Sequence, residues 1–206
     1  MRIMNADFSF ESEVDGEKIL KSIELAARNC YKSEDKGDSF EKTKAFVQRL
    51  LDSKHESVIE HESVTVRIIC DRGVSHEIVR HRIGASFSQE STRYVNYGKK
   101  KHGCGIGVIS PMDHMTDEQF DTWYEAMVVA NKLYLTLLEQ GASPEIARSV
   151  LPTSTKTEIV MTMNLRAWRH FFQLRTSPKA HPQMRELAIP MLEAFQQRIP
   201  VIFDDI

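Results

Sequence analysis

Apolar positions alternate most cleanly between residues 64 and 70. There Val64, Val66, Ile68 and Cys70 are interleaved with Thr65, Arg67 and Ile69. A period of two predicts a strand buried on one face. Ile159, Met161 and Met163 repeat the pattern, and Phe8 and Phe10 predict a short strand within residues 2–12. Elsewhere the period is helical. After Asp15-Gly16, the residues Ile19, Ile23, Ala26, Ala27 and Cys30 recur on one face. Ser33 to Asp38 reads as a polar loop, and Asp38 with Glu41 predicts a capping box ahead of Phe46, Val47, Leu50 and Leu51.

His55 to His61 reads as a polar connection, and Asp71-Arg72-Gly73 as a turn before a short helix capped by Ser75 and running through Val79. Lys99 to His102 is a solvated basic loop. Thr116 with Gln119 makes a second capping box for a helix carrying Phe120, Trp123, Met127, Ala130, Tyr134 and Leu137, which Gly141 ends. Ser143-Pro144 starts another helix and Pro152 stops it. Asn164 caps a helix with Leu165, Trp168, Phe171 and Phe172 as its apolar stripe. A last helix is predicted over 182–198, broken or kinked at Pro190. The sum is an α/β fold of α+β type: one domain, residues 1–206, with long helices around a small, mostly antiparallel sheet.

Composition narrows the function. Hydrophobic residues make up 41% of the 206, enough for a core, and the net charge is −2. General polyanion binding is not implied by that balance. The three cysteines, Cys30, Cys70 and Cys104, are widely spaced without a CxxC pair. This points away from a zinc knuckle or a disulfide framework and toward a reducing, cytoplasmic setting. No signal region or membrane-length apolar run is seen, so a soluble protein without membrane association is expected.

Against this balanced background, positive charge concentrates in one place. The run from Arg80 to Tyr94 holds Arg80, His81, Arg82 and Arg93 with Ser86, Ser88, Gln89, Glu90, Ser91 and Thr92. Guanidinium forks match phosphate or carboxylate two bonds at a time, and short hydroxyls complete an oxyanion's shell. Arg80 and Arg82 diverge by about 200° on a helix and face opposite sides on a strand, so two ligands, or two parts of one, suit them better than one phosphate. The competing reading is a basic surface segment making ordinary ion pairs.

Other chemistries fit less well. His76 and His81 are five apart, about 140° round a helix, and do not face one metal as residues four apart would. His55 and His61 lack a third partner of clear spacing, so no metal site is expected. There is no G-x-S-x-G elbow and no recognisable cysteine nucleophile, and Ser91 reads as a binding hydroxyl. Without G-x-G-x-x-G, any flavin or nicotinamide must be held by arginines and helix ends. Arg175 continues the stripe of Trp168, Phe171 and Phe172. It either snorkels out at the helix end or is a cation set against a ligand. Asn164 and Arg166, at the same helix's start, suit a polar or anionic ligand, or act only as a cap and a surface charge.

Arg80-His81-Arg82, a spacer, then Ser91-Thr92-Arg93-Tyr94 resembles the signature of flavin-dependent thymidylate synthases. The spacer, Ile83 to Glu90, is one residue longer than the family's usual one, and Gly84 gives the backbone room to absorb the addition. Lys54-His55-Glu56-Ser57 with Glu60-His61, Ile146-Ala147-Arg148 with Leu151-Pro152, Asn164-Leu165-Arg166, and Leu174-Arg175 are similar to further segments of that family, in the same order. The resemblance covers nearly the whole chain. It implies FAD as cofactor, 5,10-methylenetetrahydrofolate as carbon donor, NADPH as reductant, and conversion of dUMP to dTMP in a homotetramer with active sites shared between subunits.

By position, the resemblance implies flavin contacts at Ser57, Arg80, His81, Arg82, Gln89, Asn164, Leu165 and Arg166. It adds His170, where many members have Asn, and His55 beside the flavin ring. It implies dUMP contacts at Glu77, Ile78, Val79, Arg80, Gln89, Glu90, Ser91, Thr92, Arg93, Arg148 and Arg175. Arg175 would be the catalytic residue, holding the uracil and favouring its N3-deprotonated form. Two rivals remain at this level. One is a nucleotide- or RNA-binding module using residues 80–101, with Arg93, Tyr94 and Tyr97 stacking on bases. The other is a flavin reductase without methyl transfer.

Overall fold

Two strands that start the chain are followed by two helices, β1 Arg2–Met4, β2 Asp7–Phe10, α1 Gly16–Tyr31 and α2 Phe40–Asp52. Then come β3 Ser63–Asp71, α3 Arg72–Ile78, β4 Ala85–Gln89, β5 Gly107–Ile109, α4 Asp117–Glu139, α5 Pro144–Ala147, β6 Lys156–Asn164, α6 Leu165–Arg175 and α7 Pro182–Arg198. This computed structural model describes residues 1–33 and 39–206. The fold is mixed α/β, as expected: a four-stranded antiparallel sheet in the order β2-β3-β6-β4, a parallel pair β1-β5, and helices. Among the described residues, no helix is long and apolar enough to cross a membrane.

The chain forms two compact units. The first comprises Met1–Asp7, Ile68–Arg80 and Ser88–Val160. Its core gathers Tyr97, Ile106, Val108, Met127, Tyr134 and Ala147. The helix α4 starts at the capping box read from the sequence, with Thr116 Oγ1 accepting from the Gln119 amide and Gln119 Oε1 accepting from the Thr116 amide. Of its predicted apolar stripe only Met127 and Tyr134 are buried. Tyr124, Val128, Val129 and Leu133 remain exposed.

The second unit comprises Phe8–Arg67, His81–Phe87 and Met161–Ile206. Its core is aromatic. Trp168 and Phe172 on α6 stack at 5.5 Å, Phe195 on α7 lies 4.8 Å from Trp168, and Phe203 lies 5.2 Å from Phe195. The Trp168 indole N–H finds its partner in the Val64 carbonyl, 3.1 Å away, as a buried indole requires.

Several elements depart from the expected ones. The stretch Glu56–His61 is a 3-10 helix that buries Val58 and Ile59, not a polar connection. Asp71 caps α3 by accepting from the Val74 amide at 2.6 Å, so the helix begins at Arg72 and Ser75 lies inside it. The expected cap of α2, Asp38, lies outside the described residues; Ser39 caps the helix by accepting from the Lys42 amide. Helix α7 continues through Pro190 as one element. The strands β4 and β5 were not foreseen: the first is mostly hydroxyl-bearing, the second too short for a period to register.

Candidate active site

The segment following β4 is tied down at nearly every polar atom. The Glu90 amide donates to the Glu158 carbonyl at 2.8 Å, and its own carbonyl accepts from Arg72 Nη1 at 3.2 Å. Its carboxylate is gripped twice, by the Tyr97 hydroxyl at 2.8 Å and by Lys156 Nζ at 3.0 Å. Lys156 and Glu90 side chains are only 13% and 16% exposed, so this pair is well shielded from water. Burial and the neighbouring Glu90 charge push the Tyr97 hydroxyl far above its ordinary pKa, and it stays a donor.

With Glu90 fixed, the turn that follows is fixed too. The Ser91 carbonyl accepts from the amides of Tyr94 and Val95, and Ser91 Oγ accepts from the Arg93 amide. Thr92 is buried, and its hydroxyl accepts from Arg148 Nη1 at 3.3 Å. Arg93 is half exposed, donates to Glu145 at 3.1 Å and lies over the Tyr94 ring. Gln89 sends its side-chain N–H groups to Ser75 and Thr157, at 2.9 and 3.2 Å. Glu77 and Val79 are half-buried, Arg80 is exposed, and Ile78 is fully buried, so only its main chain can meet a ligand. All of these residues belong to the first unit.

In the second unit the centre is His81. Its ring is buried 5.0 Å from Phe171 and 5.9 Å from His170, and Nε2 accepts a hydrogen bond from Arg175 Nε at 3.0 Å. Burial first, then the Arg175 and His170 charges, push its pKa down to about 4. His81 is therefore neutral at pH 7 and can accept. Arg175 sits half-buried at the end of α6.

The start of α6 is equally constrained. Asn164 Oδ1 caps the helix through the Ala167 amide at 2.8 Å, and the Asn164 amide donates to the Gly84 carbonyl at 3.1 Å. Gly84 has φ +68°, and a Cβ there would lie 2.6 Å from Asn164 Nδ2. The lengthened spacer thus lets the backbone turn close against this amide. Leu165 is fully buried, its amide donating to the Glu62 carbonyl. Arg166 is exposed and held by Glu60 at 2.6 Å and Glu56 at 3.4 Å. His55, Ser57, Arg82 and His170 are exposed. A cleft of about 250 Å³ is lined by Glu56, Arg166, Arg169, His170 and Gln173.

The family model described as "Thymidylate synthase complementing protein" matches residues 15–201. The flavin-dependent thymidylate synthase of Pyrococcus abyssi (strain GE5 / Orsay) is 38% identical over 185 residues, which cover 87% of this chain and 75% of the relative. The protein of that name from Geobacter sulfurreducens (strain ATCC 51573 / DSM 12127 / PCA) is 37% identical over 191 residues, covering 89% and 80%. The chain belongs to the flavin-dependent thymidylate synthase family. Among solved structures, the UMP/dUMP methylase PolB from Streptomyces cacaoi, bound with 5-Br dUMP, matches with a TM-score of 0.80 at 27% identity, over 99% of this chain and 96% of that one.

The residues of this flavin-dependent thymidylate synthase family member fit a flavin. Arg82 is an exposed guanidinium of the kind a pyrophosphate needs, whereas Arg166 is exposed but already paired with Glu60 and Glu56. What the sequence did not disclose is the support behind these groups. Tyr97 and Lys156 hold Glu90, and His81 holds Arg175. Tyr97 does not present the base-stacking ring that an RNA-binding module would need: the residue is 4% exposed and its hydroxyl is committed to Glu90. Cys70 is buried in β3, its thiol pushed up to about 12 by burial and the adjacent Asp71.

Proposed function

We propose that this chain converts dUMP to dTMP with FAD as its bound cofactor, 5,10-methylenetetrahydrofolate as carbon donor and NADPH as reductant. The family membership supports the flavin-dependent methylation of dUMP. The 5-Br dUMP bound to PolB supports a uridylate substrate. The observation on which the mechanism rests is the hydrogen bond from Arg175 to a neutral His81.

His81, Arg82, Asn164, Arg166, His170, Leu165, Ser57 and His55 would hold the flavin, with Arg80 and Gln89. Flavin supplies the hydride when bound. The uridylate would meet Glu77 to Arg80, Gln89 to Arg93, Arg148 and Arg175. One edge of the Arg175 guanidinium is fixed by His81, which sets its plane before any ligand arrives. A guanidinium so placed against the uracil stabilises the N3-deprotonated ring and activates C5 toward the incoming carbon. Donors in the 90–93 turn hold the rest of the nucleotide without moving, because their own backbone is already tied.

The chain is read as one functional domain, 1–206, that assembles into a homotetramer with shared active sites. The exposed Tyr124 and Val128, four residues apart on one face of α4, support assembly, since a second copy would remove them from water. The test is direct. Purified protein should be yellow, and NADPH oxidation and dTMP formation should both require dUMP. A colourless protein, or NADPH oxidation indifferent to dUMP, would replace this reading with a nucleotide-binding module or a simple flavin reductase.

A further inference from the structure

The cleft beside α6 has two walls. One is Glu56; the other is Arg166, Arg169, His170 and Gln173, which recur at i, i+3, i+4 and i+7 along the helix. All five residues lie in the second unit. The flavin reading above used Arg166 and His170 and left Arg169 without a role in binding. Arg169 differs from both, because its side chain is only 6% exposed. It serves the cleft as part of the wall, so whatever fixes its guanidinium decides where this stretch of wall stands.

What fixes it is the segment after α7. Arg169 Nη1 and Nη2 donate to the two carboxylate oxygens of Asp205, at 2.6 and 2.7 Å, and Nη1 also donates to the Ile202 carbonyl. The segment is itself pinned. Ile202 and Phe203 are fully buried, and Phe203 meets Phe172 of α6 edge-on at 5.7 Å. Gln196 Nε2 donates to the Phe203 carbonyl at 3.1 Å, and Asp204 Oδ2 accepts from the Val201 amide at 2.9 Å. Val201 has φ +76°, a left-handed conformation that a β-branched residue keeps only where its surroundings impose it. The Asp205 carboxyl is held below its ordinary range, first by the Arg169 hydrogen bond and in smaller part by the charge of Lys54. Lys54 stands two residues before Glu56 of the opposite wall. Asp205 thus feels both walls, one through hydrogen bonds and the other through charge.

We propose that the hook formed by residues 199–206 latches the flavin cleft, with Asp205 as the residue that positions Arg169 along its wall. The inference rests on the flavin reading above. Strained backbone persists where its surroundings over-determine it, and such places gather at binding sites. A helix wall held from behind at Arg169 presents Arg166 and His170 at one fixed spacing. Deprived of Asp205, the Arg169 cation would be buried without its carboxylate. It would turn toward Glu56, the carboxylate lining the same cleft, and narrow the space a flavin needs.

Release of FAD from the loaded, full-length protein, followed as flavin fluorescence recovers on dilution, tests the latch. Asp205→Asn should speed release by about tenfold, and Asp205→Glu, which keeps the charge, should stay within about threefold. In an Arg169→Met background, which leaves no cation to misplace, the same Asp205→Asn change should have no further effect. Asp204→Ala loosens the Val201 turn without touching Arg169 and should speed release by about threefold. Unchanged release in a natively folded Asp205→Asn, or acceleration as large without Arg169 as with it, would overturn the latch and leave the flavin reading standing. If Asp205→Asn did not fold, Asp204→Ala would decide, and release no faster than in the unaltered protein would overturn the latch. An unaltered protein that held no FAD would overturn the flavin reading itself, and the latch with it.

Discussion

Arg175 donates from Nε to Nε2 of His81 across 3.0 Å. A charged donor thus leans on a neutral acceptor, and the arrangement survives only while the imidazole is unprotonated.

That dependence has a sign. His81 has its pKa lowered in the folded protein to about 4, from an ordinary value of 6.5. Between those values the unfolded chain takes up a proton that the folded one refuses, so stability is full above pH 6.5 and falls as pH drops toward 4. The loss over that window is on the order of 3 kcal/mol. Denaturant midpoints measured from pH 7 to 4 should show it, and His81→Gln should flatten the curve. A slope of unchanged steepness in that variant would clear His81 of responsibility.

Arg175→Ala should abolish dTMP formation, by at least about a hundredfold in kcat, with a native circular dichroism spectrum. Arg175→Lys should not restore it, because a single ammonium cannot hold His81 along one edge and a uracil along another. Turnover near that of the unaltered protein in either variant would remove Arg175 from the chemistry.

Tyr97→Phe takes one of two partners from a shielded carboxylate. The expected stability cost is about 1–3 kcal/mol. The KM for dUMP should rise, and the flavin should be retained. Loss of flavin with unaltered KM would mean that Glu90 serves the cofactor and not the nucleotide.

Gly84→Ala forces a side chain into the left-handed region, costing about 1–2 kcal/mol, and drives a Cβ to within 2.6 Å of Asn164 Nδ2. The amide that caps α6 must move. Flavin affinity, read by fluorescence quenching on titration, should weaken severalfold. Tight binding in the variant would show that Asn164 is only a cap.

Arg169 on α6 is buried, donates to the Ile202 carbonyl and forms a two-pronged pair with Asp205 at 2.6 and 2.7 Å. Asp205→Ala would strand that cation. Because the Asp205 side chain remains 56% exposed, the cost should be about 2–3 kcal/mol, below that of a fully buried pair. Thermal melts would measure it.

What could be read from residue order followed from the range of the interaction. The alternation of β3 and the Thr116–Gln119 box were legible because period and cap are local. Strand β4 was not, because Ala85-Ser86-Phe87-Ser88-Gln89 shows no apolar row and is held by its neighbours in the sheet. The Arg80–Tyr94 run announced an anion site through its residue types. Its supports were silent: Lys156 lies 66 residues from Glu90, and His81 lies 94 from Arg175. Arg72 looked like part of a turn and His76 like a failed metal ligand. Only folding puts both beside Arg148.

The burial of Cys70 has a pharmacological corollary. A thiol whose pKa is near 12 presents almost no thiolate at neutral pH. Alkylating agents should mark the exposed Cys30 and Cys104 and spare it. An inhibitor of this protein could not depend on capturing that sulfur with an electrophilic warhead.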